Sequence, residues 1–265
     1  MIPAQPPSAA VGRLLDIYVS RYLHRHFHRV RLQGALPVAD LPCDRPLLVL
    51  MTHFSWWDVL VGYWLARRVL GIESYAPMDE AQLRRYRILT RLGIYSIDRH
   101  SIAGLRAFHH YTAELLRPGR AVWLTPQGAI APSRRRPLGF LPGVGHLVRR
   151  VAPVTVLPVA VVYEFLEEPR PEVFIRVGLP RLVERAAEPA AAIARGLEGD
   201  LTRELDALQD ALDRRALGPF AVCLEGRTGV SRVYDPVRRV RAWWTGRPDP
   251  PRHGDVVSDP RRTRA

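Results

Sequence analysis

The chain has 265 residues and a mass of 30.0 kDa, and its 47% hydrophobic and 25% charged residues are typical of a globular protein, which excludes a wholly disordered chain. Its longest segments without a charged residue span 13 positions, at 121–133 and 151–163, whereas a membrane-spanning helix needs about 20 apolar residues. The formal net charge is +13 and lysine is absent, so arginine supplies the excess and predicts a polyanionic partner, either nucleic acid or the anionic face of a membrane.

Residues 11–31 are predicted to form a basic amphipathic helix. Apolar and aromatic side chains recur there at three- and four-residue spacing, and arginine and histidine fill most of the other face. Two interpretations stay open. The helix packs on the core of the domain, or it lies in a membrane interface, where a cationic face opposite an aromatic-rich face is typical.

From residue 46 onward, strand patterns alternate with helix patterns. The predicted strands are 46–52, 94–97, 120–125, 153–163 and 172–178, and the predicted helices are 56–70, 101–117 and 143–151. This alternation predicts an α/β fold with a mostly parallel central sheet covered by helices. Ligands of such folds bind at the carboxyl ends of the strands.

The C-terminal part of the chain changes in character. A last helix is predicted from one apolar stripe, formed by Leu201, Leu205, Leu208 and Leu212. From about residue 245 the composition is mainly Pro, Arg, Gly and Asp, which predicts disorder. Trp243 and Trp244, close to several arginines, fit either an anchor in a membrane interface or a cover over the edge of the core.

These patterns divide the chain into three predicted segments. Residues 1–45 hold the N-terminal amphipathic helix and a linker, 46–220 form the α/β domain, and 221–265 are an Arg/Pro-rich extension that is partly disordered. The first residues lack the basic start and apolar core of a cleaved secretory signal, so a cytoplasmic protein is expected.

The first strand leads directly into a His-x4-Asp arrangement, His53 and Asp58. On a continuous helix an offset of five residues would turn these side chains about 140° apart, so they meet only if His53 lies on a turn and Asp58 in the first helical turn. Ser55 and Asp58 have the spacing of a capping box, which supplies that turn and is by itself a structural explanation of the motif. Asp58 would orient one ring nitrogen of His53, leaving the other to take a proton from a hydroxyl.

Four short blocks follow one another within about 115 residues. They are HFSWWD at 53–58, GIYSIDR at 93–99, TPQGA at 125–129 with GFLPG at 139–143, and VLPVA at 156–160. In this order and spacing the chain resembles the glycerolipid acyltransferases, a family typified by 1-acyl-sn-glycerol-3-phosphate acyltransferase. The resemblance covers about residues 46–163.

The resemblance implies acyl transfer with His53 as general base and Asp58 as its partner. It also implies residues that bind the acceptor, with Arg99 on its phosphate or other anionic group and Gln127, Gly128 and Ser55 elsewhere in the site. Arg99 follows a short strand, where a guanidinium can bind phosphate bidentately, or it is a surface residue paired with a neighbouring carboxylate. Gly128 allows close approach of the backbone to a ligand, although a plain turn also explains it.

Three positions differ from the family pattern. Gln127 replaces the usual glutamate, Ala129 replaces threonine, and Met78 or a neighbour stands where a lysine is usual. An amide in place of a carboxylate changes which head group is tolerated, so the acceptor is either a lysophospholipid or another polar lipid, such as a glycolipid, a glycosylated terpenoid or a lyso-aminolipid. The arginines at 134–136 either restore cationic character to the site or form a solvated loop.

The sequence therefore predicts a peripheral-membrane O-acyltransferase at the inner face of the cell membrane, with membrane lipids as partners. The acyl donor would be acyl-coenzyme A or an acyl carrier protein, with no metal and no other cofactor. Cys43 and Cys223 lie 180 positions apart and fit neither a metal knuckle nor a disulfide framework. A basic nucleic-acid-binding protein is the alternative from another class, but the arginines are spread along the chain without a recognisable binding motif.

Overall fold

The computed structural model describes residues 1–5, 7–34, 44–184 and 187–227. The strands are β1 (Arg29–Gln33), β2 (Leu47–Met51), β3 (Glu73–Asp79), β4 (Ile94–Ile97), β5 (Arg120–Leu124), β6 (Val154–Glu164), β7 (Glu172–Val177), β8 (Arg181–Val183) and β9 (Ala221–Glu225). The helices are α1 (Ala9–His26), α2 (Asp58–Leu65), α3 (Glu80–Arg85), α4 (Ile102–Leu115), α5 (Gly143–Val151) and α6 (Ala190–Asp213). A π-helical turn, Ala66–Leu70, extends α2, and a 3-10 helix, Arg87–Leu92, follows α3.

One mixed sheet holds these strands in the order β4-β3-β5-β2-β6-β7-β1-β9, with β8 paired to the start of β6. Five strands that are neighbours in the sheet are parallel to one another, namely β4, β3, β5, β2 and β6. Strand β7 is antiparallel to β6, and β1 is parallel to β7. The predicted α/β fold with a mostly parallel sheet is therefore confirmed. The carboxyl ends of β4, β3, β5, β2 and β6 all lie at one side of the molecule, called here the carboxyl end of the sheet.

Helices cover both faces of the sheet. On one face α1 and α2 pack against alternate residues of β2 and β6, with Val19, Leu23 and Leu65 in that core. On the other face lie α4, α5 and α6, and the predicted leucine stripe of α6 is buried along its whole length. All five residues of β2 are buried, which is why this strand has a continuous apolar sequence instead of an alternating one.

The predicted helix over 11–31 is too long. It ends at His26, Phe27 is extended, and residues Arg29–Gln33 form β1 in register with β7. Val30 and Leu32 alternate with polar residues, which is a strand period that the helix pattern before them concealed. The sheet therefore extends into the segment 1–45. Helix α1 covers one face of the sheet and contributes side chains to the core.

Three further regions, one of them the short strand β8, were not predicted as regular structure. β3 and α3 lie between the predicted helix 56–70 and the predicted strand 94–97, and β3 contains Pro77 and only one buried residue, Tyr75, so it lacks an apolar run. β9 pairs antiparallel with β1 and lies within the predicted extension 221–265. Trp243, Trp244 and the predicted disordered tail lie outside the described residues. Among the helices that are described, none is long and apolar enough to span a membrane.

Candidate active site

Three of the predicted blocks meet at the carboxyl end of the sheet. His53 lies two residues after β2, Arg99 two residues after β4, and Gln127 three residues after β5. These strands are parallel members of one sheet, so the loops that follow them lie on the same side of the molecule.

His53 and Asp58 are in contact. Asp58 is the first residue of α2 and His53 lies on the preceding turn, and the Nδ1 atom of His53 lies 3.0 Å from Oδ2 of Asp58. The carboxylate can only accept, so Nδ1–H donates and Nε2 is left as the acceptor nitrogen of the neutral ring. The Asp58 side chain is 1% exposed and the His53 side chain is 17% exposed. The carboxylate is therefore buried, whereas the imidazole is partly accessible to solvent.

Asp58 is held by three further donors. Its Oδ2 atom accepts from the backbone N–H groups of Phe54 (2.7 Å) and Ser55 (2.9 Å), and its Oδ1 atom accepts from the Tyr163 hydroxyl (2.6 Å). A buried carboxylate without such partners would be costly. The network therefore satisfies the charge of Asp58 and fixes the position from which it contacts His53.

The capping box predicted from Ser55 and Asp58 forms in one direction only. The carboxylate of Asp58 accepts from the Ser55 N–H, but the Ser55 Oγ atom accepts from the Trp57 N–H at 3.3 Å and not from Asp58. The turn that brings His53 back to Asp58 thus depends mainly on the aspartate. Ser55 lies beside the pair, and its role in binding the acceptor stays a prediction.

Tyr163 is a residue of this site that the sequence interpretation missed. In the register of the sheet, Met51 at the end of β2 lies opposite Val159, so β6 continues past β2 and brings Tyr163 next to the start of α2. Burial, and then the charge of Asp58, raise the pKa of Tyr163 well above its ordinary value, so the phenol stays protonated and donates. A signal was present in the sequence, since Tyr163 directly follows the apolar run 156–162 near the end of the strand.

We expect Tyr163→Phe to weaken catalysis. Loss of one donor leaves the negative charge of Asp58 less compensated and the carboxylate less firmly held in the position from which it contacts His53. The value of kcat/KM at its optimum should therefore fall roughly three- to thirtyfold. Tyr95→Phe is the matched control, because Tyr95 is also a buried phenol bonded to a side chain, Thr112, away from this site. An unchanged kcat/KM in Tyr163→Phe would show that the hydroxyl is only structural.

A hydrogen bond of the Gln127 side chain connects the third block to the first. Its Oε1 atom accepts from the backbone N–H of His53 at 2.7 Å, which fixes the orientation of the amide. The other amide atom, Nε2, is buried and has no hydrogen-bond partner among the described residues. An orphaned buried donor is destabilising, so its presence beside His53 favours a role toward a ligand.

Gly128 and Arg99 join the second block to the third. A guanidinium N–H of Arg99 donates to the carbonyl oxygen of Gly128, and Gly128 has a φ of 73°, where glycine is favoured. A side chain at position 128 would lie 2.7 Å from Leu141 Cδ1. The alternative considered for Arg99, an ion pair with a neighbouring carboxylate, is absent from the part of the chain that the structure describes. The plain turn considered for Gly128 is present, since its N–H donates to the carbonyl oxygen of Thr125. Gly128 is also closely packed against Leu141.

The three arginines at 134–136 divide into two kinds. Arg136 donates to Asp206 and Gln209 on α6, so it fastens the loop before α5 to that helix. Arg134 and Arg135 are exposed. No group of three or more side chains suited to hold a metal ion occurs within the described ranges.

Comparison with known proteins identifies the family. A sequence model of the family described as Acyltransferase matches residues 29–162, which is just over half of the chain. The chain belongs to this family. The match contains all four blocks, so the resemblance predicted from them is confirmed and the enzyme class is an acyltransferase.

A solved structure has the same fold as this acyltransferase. It is PlsC, the 1-acyl-sn-glycerophosphate acyltransferase from Thermotoga maritima, with 15% sequence identity, a TM-score of 0.56, and coverage of 75% of this chain and 79% of that chain. At this identity the likeness supports the fold alone. A search of curated proteins found no match.

Proposed function

We propose that this acyltransferase is a peripheral-membrane enzyme that moves a fatty acyl group from a thioester to the free hydroxyl of a polar lipid. The proposal rests above all on the contact between His53 Nδ1 and Asp58 Oδ2, which leaves Nε2 of a partly exposed imidazole without a hydrogen-bond partner among the described residues. No serine hydroxyl or cysteine thiol in the described ranges bonds to His53. This arrangement suits direct attack by a substrate hydroxyl rather than an acyl-enzyme.

The proposed reaction needs one proton carrier. The acceptor hydroxyl gives its proton to Nε2 of His53 as its oxygen attacks the carbonyl carbon of the thioester. The new C–O bond forms, the C–S bond breaks, and the imidazolium returns the proton to the departing thiolate. Asp58 stabilises the imidazolium during this sequence and is itself held by its backbone donors and Tyr163. The thioester belongs to coenzyme A or to an acyl carrier protein.

The membrane role rests on the outer face of α1. Val19 and Leu23 of this helix are in the core, so the core-packing interpretation of α1 holds. The same helix exposes Leu14, Ile17 and Tyr18 to solvent, next to exposed arginines of the same helix. An exposed apolar face with cationic neighbours is the surface expected of a helix that lies in an anionic interface.

Aromatic rings connect this face to the catalytic pair. The ring of Tyr18 stacks on Tyr22 at 5.5 Å, Tyr22 contacts Trp57 at 5.4 Å, and Trp57 directly precedes Asp58. The exposed side of α1 and the site therefore belong to one continuous part of the molecule, which suits an enzyme whose substrates are in a bilayer.

The test is acylation by the purified protein. Acyl-coenzyme A and acyl carrier protein would be offered separately, with vesicles that contain lysophosphatidic acid, a lysophospholipid without the phosphomonoester, a glycolipid or a lyso-aminolipid, and the products identified by mass spectrometry. We expect one acceptor class to gain an acyl group. Lipids of cells with and without the protein should differ by the same species. Thioester hydrolysis without any acylated lipid would contradict the proposal, as would salt-resistant binding to random DNA with none to vesicles.

The orphaned amide of Gln127 favours an acceptor other than lysophosphatidic acid. Nε2 donates at a position where the glutamate of the family pattern could only accept, so the two residues suit acceptor lipids that differ at this point. A head group with an additional acceptor oxygen, as in a glycolipid or a lyso-aminolipid, would satisfy it.

Gln127→Glu is expected to impair use of the native acceptor roughly five- to hundredfold. One carboxylate oxygen can still accept from the His53 N–H, but the other replaces the buried Nε2 and brings a charge without a donor. The change should raise relative use of lysophosphatidic acid in competition assays. Gln82→Glu is the control, because it adds the same charge on the exposed side of α3. If the wild type already prefers lysophosphatidic acid to every other acceptor, the glutamine has no role in selection.

A further inference from the structure

The segment between β5 and α5, residues 125–142, contains neither helix nor strand and is called here the Gln127 loop. It contacts His53 twice, because Gln127 accepts from the His53 N–H and the N–H of Ala131 donates to the His53 carbonyl oxygen. Its Gly128 carbonyl also accepts from Arg99. An irregular loop of this length keeps one shape only when other elements hold it. The geometry at His53 therefore depends on what holds the loop.

Helix α6 holds the Gln127 loop from outside the sheet. The buried side chain of Leu138 packs on the leucine stripe of this helix. Nearer the site, one carboxylate oxygen of Glu198 accepts from the N–H of Gly139 at 2.7 Å, and the other accepts from the N–H of Phe140 at 3.2 Å. Bonds of this kind, with a charged acceptor, are stronger than bonds between neutral groups.

Glu198 differs from most acidic residues of its helix. In the described part of the chain no arginine forms an ion pair with Glu198, although arginine is abundant in this protein. Its two oxygens are used on consecutive backbone N–H groups of the loop instead. Other acidic residues of α6 do pair with arginines, namely Asp200, Glu204, Asp206 and Asp210.

The next residue of the loop transmits this contact to the site. Leu141 directly follows the two N–H groups that Glu198 accepts, and its own N–H donates to the carbonyl oxygen of Pro126. Its side chain lies against Gly128, where an added Cβ would come within 2.7 Å of Leu141 Cδ1. Pro126 and Gly128 flank Gln127 in the sequence. The position of Leu141 therefore fixes the turn that carries the Gln127 amide.

We infer that Glu198 is a positioning residue of the reaction. Through the N–H groups of Gly139 and Phe140 it holds the Gln127 loop in the shape that places the Gln127 amide beside His53. Glu198 itself touches none of the reacting groups. Helix α6 lies outside the residues that the family model matches, so this contribution comes from a part of the chain beyond the four blocks. The inference rests on the proposed function for the role of His53 as proton carrier.

Amide hydrogen exchange of the full-length protein, followed by NMR, tests the positioning without a substrate. The His53 N–H reports on the loop, because its hydrogen-bond partner is the Gln127 side chain. In Glu198→Ala we expect exchange at His53 and at 126–131 to be roughly three- to thirtyfold faster than in wild type. The matched control is Glu204→Ala, which removes a carboxylate of the same helix that pairs with an arginine of β7. Its exchange at these amides should stay within about twofold of wild type.

Turnover then separates positioning from a loss of stability. Glu198→Ala should lower kcat/KM for the acceptor roughly five- to fiftyfold, and Glu198→Gln, which keeps one acceptor oxygen, should recover part of this loss. In Gln127→Ala the amide to be positioned is missing, so adding Glu198→Ala should cost no more than about a further threefold. Glu204→Ala should change kcat/KM by less than about twofold in either background. Urea unfolding of each variant gives its stability.

Two results would overturn the inference. One is faster exchange in Glu198→Ala that is confined to residues 139–140 and leaves the His53 amide unchanged. The other is a loss of kcat/KM that is equally large with and without the Gln127 side chain, since a general loss of stability would act in that way. If Glu198→Ala does not fold, Glu198→Gln carries both measurements. If the wild type acylates no lipid, the proposed function is wrong, and hydrogen exchange alone decides whether Glu198 positions the loop.

Discussion

Replacing His53 by alanine is expected to lower turnover roughly 100- to 10,000-fold while leaving thermal unfolding almost unchanged. Among the described groups that bond to Asp58, only the imidazole has a nitrogen that can accept a proton from the acceptor hydroxyl, so none of the others can replace it as proton carrier. The contacts that hold this loop use the backbone of His53, since its N–H donates to Gln127 and its carbonyl accepts from Ala131. Alanine keeps both of these bonds.

The matched control is His146→Ala, which removes an exposed imidazole from α5. Turnover with each donor and acceptor, and the unfolding temperature by calorimetry, would be measured for both variants and wild type. We expect the control to match wild type in both. A His53→Ala protein that unfolds early but keeps its specific activity would mean that the imidazole is structural and that another group takes the proton.

Local contacts of this site could be predicted from the sequence, whereas contacts between distant segments could not. His53 and Asp58 are five residues apart, and a single turn before a helix is sufficient to bring them together. Tyr163 is more than a hundred residues from Asp58, and its contact depends on β6 extending four residues beyond the partner of Met51. Strand patterns indicate where a strand lies but not its register with a neighbour.

The same distinction between local and distant contacts explains which elements of the fold could be predicted. The apolar run of β2 and the leucine stripe of α6 were sufficient to predict both elements, because burial on the sheet demands those patterns. β1 was missed because its two buried apolar residues follow a helix with the same arginine-rich composition. Whether this segment forms a strand is decided by its pairing with β7, which lies about 140 residues later in the chain.

The two interpretations of α1 are compatible, because a helix has more than one face. Val19 and Leu23 pack in the core, while Leu14, Ile17 and Tyr18 remain exposed on the same helix. Deleting the first 31 residues would therefore remove core side chains and part of β1 together with the exposed surface. Substitutions confined to the exposed face are the informative experiment.

Asp58→Asn is expected to lower turnover roughly 1,000- to 10,000-fold, far more than it lowers stability. The asparagine carbonyl can still accept from the N–H groups of Phe54 and Ser55, and its amide can donate to the oxygen of Tyr163. The free energy of unfolding should therefore fall by no more than about 1–3 kcal/mol. The lost element is the negative charge that stabilises the imidazolium of His53 while it holds the proton.

Asp79→Asn separates this role from helix capping. Asp79 caps α3 by accepting from Ala81 and Gln82, and none of its described contacts reaches the catalytic pair. Because both aspartates accept backbone N–H bonds at the start of a helix, the two variants should lose stability to a similar small extent. Only Asp58→Asn should lose turnover. Turnover and the free energy of unfolding in urea would be measured on the same preparations of each variant. Equal and small losses of both quantities in the two variants would show that Asp58 does no more than hold the turn before α2, and the proton carrier would then have to be sought elsewhere at the carboxyl end of the sheet.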